Sequence, residues 1–123
     1  MASQWSVGRK GEQYAAERLY DAGYLLLERN WRQRPYEIDI IARQDETLVF
    51  VEVKTRVDPG YAVQRWGISQ AKKRALANAA YEYMAQICWS GEFRFDIITL
   101  SQWEREWKLT HYEDAFFPGI HGL

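Results

Sequence analysis

The sequence is poor in cysteine, in histidine and in long apolar runs, and its charges nearly cancel. Cys88 is the one cysteine among 123 residues, so the chain cannot close an internal disulfide or build a cysteine-based zinc site. Set in an apolar stretch, Cys88 reads as a small core residue, and so little thiol fits a reducing cytosol. His111 and His121 stand isolated, without metal-ligand spacing. No stretch approaches the ~20 apolar residues that span a bilayer. The start, Met1 to Lys10, has no apolar run of the kind a secretion signal carries. These absences lead to the expectation of a soluble, cytoplasmic protein without a membrane partner. The net charge of −1 argues against a general nucleic-acid coat protein, which would be basic. It does not exclude a nuclease, whose metal-holding carboxylates lower the sum while local patches decide where a phosphate backbone lies.

What is present is a normal globular balance of 47% apolar and 27% charged residues, enough to exclude wholesale disorder. No repeat, low-complexity tract or long linker divides it, and residues 1–123 read as one domain. The expected order is helix, three strands, helix, and one or two strands. The first helix is expected from about Val7 to Ala22, with Ser6 as N-cap and Gly23 past its end. Glu12 shares its apolar face with Ala15, Ala16 and Leu19. Tyr24 to Leu27 read as a short buried strand and Asn30 to Pro35 as a polar connection. Tyr36–Arg43 and Leu48–Arg56 form a hairpin around Gln44-Asp45-Glu46-Thr47. Asp58-Pro59-Gly60 is a turn, and the stretch through Trp66-Gly67 a loop. A second helix is expected from Ser69 to Ile87, with Leu76, Ala79, Ala80, Tyr83 and Ile87 inward. Phe93–Leu100 is the fourth strand and Trp107–Tyr112 a candidate fifth. The aromatic tail Ala115-Phe116-Phe117-Pro118 reads either as a core lid or as a homodimer contact.

The hairpin register carries the functional reading. A loop centred on Asp45-Glu46 pairs Arg43 with Leu48, Ile41 with Phe50, and then Asp39 with Glu52, and opposed residues share a face. Strand alternation sets Val49, Val51 and Val53 on one side and Phe50, Glu52, Lys54 and Arg56 on the other. Two opposed carboxylates at ~4 Å repel by about 4 kcal/mol at an effective dielectric of ~20. Protonation, solvent or a shared cation relieves this. A divalent ion with oxygen ligands is the simplest answer, and Mg²⁺ takes one or two carboxylates while accepting substrate phosphate oxygens. Glu12 would add a carboxylate from the helix, or is an ordinary first-turn acid favoured by the helix dipole. Lys54 supplies a positive charge beside the ion.

Asp39 followed by Glu52-Val53-Lys54 resembles the Asp…Glu-x-Lys signature of the restriction-endonuclease-like nucleases. The chain is more closely similar to the bacterial YraN-like family through Gly8-x-x-Gly11-Glu12-x-x-Ala15, Arg29-Asn30-Trp31-Arg32, Glu37 to Ala42, Val49 to Arg56 and Arg94-Phe95-Asp96. The resemblance implies an α/β, restriction-endonuclease-like core with a mixed sheet flanked by helices. It also implies Mg²⁺- or Mn²⁺-dependent cleavage of DNA, branched or damaged DNA included. Asp39, Glu52 and Glu12 would hold the ion, and Lys54 would complete the catalytic set. Two positions depart from the superfamily: Ile38 stands where proline is frequent, and Tyr36 where glycine is frequent, which narrows access.

Gln70, Lys72, Lys73 and Arg74 open the second helix, either as a solvated face or as phosphate contacts beside the helix N-terminus. Arg56 and Arg65 would join the second arrangement. Glu37 is expected at the polar surface or behind the site, and Arg94 with Asp96 as a structural pair. The competing functions are a non-catalytic nucleic-acid-binding module that keeps the fold, and a protein-interaction domain dimerising through the aromatic tail.

Overall fold

The computed structural model describes residues 4–56 and 68–116. Helix α1 (Gln4–Asp21) leads into strands β1 (Leu25–Gln33), β2 (Tyr36–Gln44) and β3 (Thr47–Arg56). Helix α2 (Gln70–Gln86) crosses over to β4 (Glu92–Trp103) and β5 (Glu106–Phe116). The strands lie in the order β1-β2-β3-β4-β5. All neighbours are antiparallel except β3 and β4, which run parallel across the α2 connection. The fold is therefore α/β, a mixed sheet flanked by helices. Among the described residues no helix is long and apolar enough to cross a membrane.

Alternation on β3 divides the core. Val49 and Val51 pack with Ile40, Ala42, Ile98 and Leu100 beneath Ala15, Ala16 and Leu19 of α1. Leu48 and Phe50 face the other way, into a cluster with Leu76, Ala79, Ala80, Tyr83 and Met84 of α2. The contact of α1 with β3 is close at Gly11, where an added Cβ would come within 2.5 Å of Thr55 Oγ1. Gly23, at φ +96°, ends α1: its N–H reaches the Tyr20 carbonyl and the Tyr24 N–H that of Leu19, the Schellman pattern expected of a left-handed glycine.

Several expectations need correction. Helix α1 begins at Gln4, so Ser6 lies within it rather than at its cap. Strand β1 is neither short nor buried. It runs through the supposed polar connection to Gln33, and the chain turns at Arg34-Pro35. As an edge strand with a bulge near Leu27 it carries mostly outward polar side chains, which hide its period, and Leu25 is exposed. Trp31 is its inward anchor, edge-on to Tyr83 at 5.5 Å. Ile87 is exposed, and Ala77 and Met84 are buried instead. Cys88 is exposed too. It takes the left-handed position past α2 (φ 56°), with the Trp89 N–H on the Met84 carbonyl, so the backbone needs it at a turn and not in the core. Phe116 ends β5 and stacks on Phe95 at 5.1 Å, which favours the core reading of the tail. The turn at Asp58-Pro59-Gly60, Arg65, Trp66-Gly67, Phe117-Pro118 and His121 lie outside the described residues.

Candidate metal centre at the open end of the hairpin

The β2–β3 ladder starts where the sequence places it, Gln44 opposite Thr47 and Arg43 opposite Leu48, and continues to Ile40 opposite Val51. It stops there, one step before Asp39 and Glu52. Strict alternation on β2 also lapses, since Ile38 packs in the same cluster as Ile41. The Val53 N–H donates to Asp39 Oδ2 at 2.8 Å. A carboxylate thus takes the place a backbone partner would have, which draws Asp39 into the gap between the strands.

This closure sets the Asp39 carboxyl beside that of Glu52, close enough for each to act on the other. Glu52 is only 8% exposed. Burial, then the charge of Asp39, pushes its carboxyl up to about 7, against the pull of Lys72 and Lys54. Burial raises Asp39 as well, while the Val53 N–H and Lys72 oppose the rise. Both carboxyls thus lie above their ordinary range, and the two titrate as a pair.

Glu12 stands beside this pair. Burial and Asp39 raise its carboxyl, and Arg29, an Asn30 side-chain hydrogen bond and Arg9 pull it back. Among the described residues no group of three or more Asp, Glu, His or Cys side chains is placed to hold one ion. Glu12 therefore meets Asp39 through its field and does not form a three-carboxylate cage with the pair. A buried and a half-buried carboxyl, both raised above their ordinary range, are a donor set suited to a hard divalent cation, which needs only one or two protein carboxylates when waters complete its shell.

The cations come from two elements. Lys54, half-buried on β3, acts on Glu52 through its charge. Lys72 Nζ lies 3.6 Å from Glu52 Oε2. Sequence reasoning set Lys72 among phosphate contacts and missed this partner. Ser69 Oγ accepts from the Lys72 N–H at 3.1 Å and so fixes the first turn of α2, but no local signal points to Glu52 as the partner of Lys72. Lys73 leans over the Phe116 ring at 5.8 Å, and Gln70 is exposed at the helix start. Arg56 ends β3. Glu37 is exposed and pairs with Arg32 at 3.7 Å. Tyr36 packs against the α2-side core.

A second polar cluster lies around Asp96. Arg94 Nε donates to Asp96 Oδ1 at 2.9 Å, as the structural reading expects. His111, expected to be isolated, is not: its Nε2 is 2.7 Å from Asp96 Oδ2. Strand pairing sets His111 opposite Ile98, two residues beyond Asp96, and a contact across strands leaves no mark in local sequence spacing.

A model of the uncharacterised protein family UPF0102 matches residues 11–100, a stretch that takes in Glu12, Asp39, Glu52, Lys54 and Lys72. A UPF0102 protein of Flavobacterium psychrophilum is 39% identical over 117 residues, 95% of this chain and 98% of that protein. One from Bacteroides thetaiotaomicron is 36% identical over 120 residues, covering 98% and 99%. One from Rhodococcus opacus is 36% identical over 119 residues, covering 94% and 100%.

Proposed function

The chain belongs to the UPF0102 family, the YraN-like family of its motifs, and we propose that it is a divalent-metal-dependent phosphodiesterase acting on DNA. The observation that carries the proposal is the pairing of half-buried Asp39 with buried Glu52 at the end of the β2–β3 ladder, with Lys54 and Lys72 beside it. Such a pair is costly for a fold to keep unless its charge is used.

On this reading Asp39 and Glu52 hold Mg²⁺ or Mn²⁺, which when bound supplies positive charge against a phosphate oxygen and activates water. Val53 N–H fixes the Asp39 carboxylate, so the ion position is set by backbone and not by a free rotamer. Lys54, whose charge acts on Glu52, is assigned the negative charge that builds on the transferring phosphate, an effect largest in the transition state. Glu12, without direct ligation, orients water at the Asp39 side and steadies Arg29. Gln70 and Lys73, in the first turn of α2 with Lys72, are assigned to flanking phosphates on this reading, together with Arg56 at the end of β3. The protein would work in the cytoplasm, as a monomer or homodimer that sedimentation distinguishes.

The test is incubation with linear, flapped and four-way DNAs under Mg²⁺ and Mn²⁺. The expected result is cleavage that Lys54→Ala lowers by at least about a hundredfold, while ion binding stays intact. Equal rates for wild type and Lys54→Ala at saturating ion would remove Lys54 from the chemistry. Binding of branched DNA without any cleavage would leave a nucleic-acid-binding module in place of the enzyme.

A further inference from the structure

Lys72 is the third residue of α2, and the first turn of that helix contains no acid but Lys72 and Lys73. A cation there opposes the helix dipole, whose positive end favours anions. Nothing in helix preference explains Lys72. Its stabilisation comes instead from across the site, from Glu52 Oε2 at 3.6 Å. The Glu52 carboxyl is nearly closed to solvent, whereas the Lys72 side chain is 40% exposed, so the lysine can swing out to water and the carboxyl cannot follow.

We infer that Lys72 is a built-in counter-cation that competes with the divalent ion for Glu52 and, once released, binds the substrate phosphate. The inference rests on the Asp39–Glu52 pair being the ion site. An ammonium and a divalent cation cannot both sit against one carboxylate without strong repulsion. Lys72 against Glu52 Oε2 therefore opposes ion uptake, and a phosphodiester at the α2 end gives it a second anionic partner. Ion and polyanion then favour each other's binding, and the coupling is reciprocal. Without substrate the site holds its ion weakly, and with substrate it holds it tightly.

Calorimetric titration with Mn²⁺, without nucleic acid, tests the first half. Lys72→Ala should bind Mn²⁺ at least about fivefold tighter than wild type, and Lys72→Arg, which keeps the charge, should stay near wild type. Equal affinity in wild type and Lys72→Ala overturns the competition while leaving the ion site standing. No Mn²⁺ uptake by any of the three overturns the ion site and this inference together. Binding of a short duplex DNA, compared in Ca²⁺ and in EDTA, tests the second half. Wild type should gain affinity with the ion and Lys72→Ala should lose that gain; a gain retained in full by Lys72→Ala contradicts the partner exchange.

Discussion

Glu52 and Asp96 are buried acids on neighbouring strands, yet their surroundings treat them oppositely. Glu52 lies opposite Ile97 in the β3–β4 register, one step from Asp96, and it faces α2 whereas Asp96 faces the α1 side. Asp96 accepts from Arg94 Nε and Nη2, pairs with His111 Nε2 and accepts from the Asp114 N–H. Arg94 in turn donates to Gln44 and to the Tyr24 hydroxyl. Burial alone would raise the Asp96 carboxyl, but these partners outweigh it and hold it below its ordinary value. Glu52 has burial and a second carboxyl against it, and lysines alone in its favour. One acid is satisfied and ties the α1–β1 connection, the end of β2 and β5 together. The other is left wanting a positive charge. A fold that can satisfy an acid this fully at Asp96 leaves Asp39 and Glu52 short, at the place proposed to take an ion.

The comparison breaks most visibly at Asp96. Asp96→Ala leaves Arg94, whose side chain is 17% exposed, without its carboxylate, and should cost about 3–5 kcal/mol of stability in urea unfolding. A loss below about 1 kcal/mol would make the cluster ornamental. The pH dependence has a fixed sign. The Asp96 contribution is present above the unfolded carboxyl value near 4 and is lost as pH falls through its lower folded value.

Glu52 sharpens the contrast with the opposite sign. Its folded value of about 7 lies above the ordinary 4.5, so the native state holds a proton that the unfolded chain releases. Stability falls as pH rises from about 4.5 to 7, and the full cost is present above that. Glu52→Gln should therefore stabilise the metal-free protein by about 1–3 kcal/mol at pH 8, with the gain fading toward pH 4.5. Unfolding curves at the two pH values check it, and a variant less stable at pH 8 would contradict the account.

The hairpin, the β3 alternation and the second helix were legible because loop length, period two and a Ser N-cap are local signals. Edge strand β1 was not, because outward Glu28, Arg29 and Arg32 break its apolar pattern. The left-handed position of Cys88 was hidden because a glycine usually marks such a site. At the site, the register brought Asp39 toward Glu52. That the ladder ends short, with Asp39 binding the Val53 N–H, depends on the divergence of two strands. The Lys72–Glu52 and His111–Asp96 pairs depend on how distant elements meet, which no spacing encodes.

The account stands on the Asp39–Glu52 pair taking a divalent cation, and thermal unfolding of wild type and Asp39→Asn in Mn²⁺ and in EDTA tests it most directly. An ion that binds only the native state stabilises it by about 2.7 kcal/mol at a hundred times its dissociation constant. Wild type should melt several degrees higher in Mn²⁺, and Asp39→Asn should melt at the same temperature in both. A wild-type melting temperature indifferent to Mn²⁺, or an equal rise in Asp39→Asn, would contradict the claim.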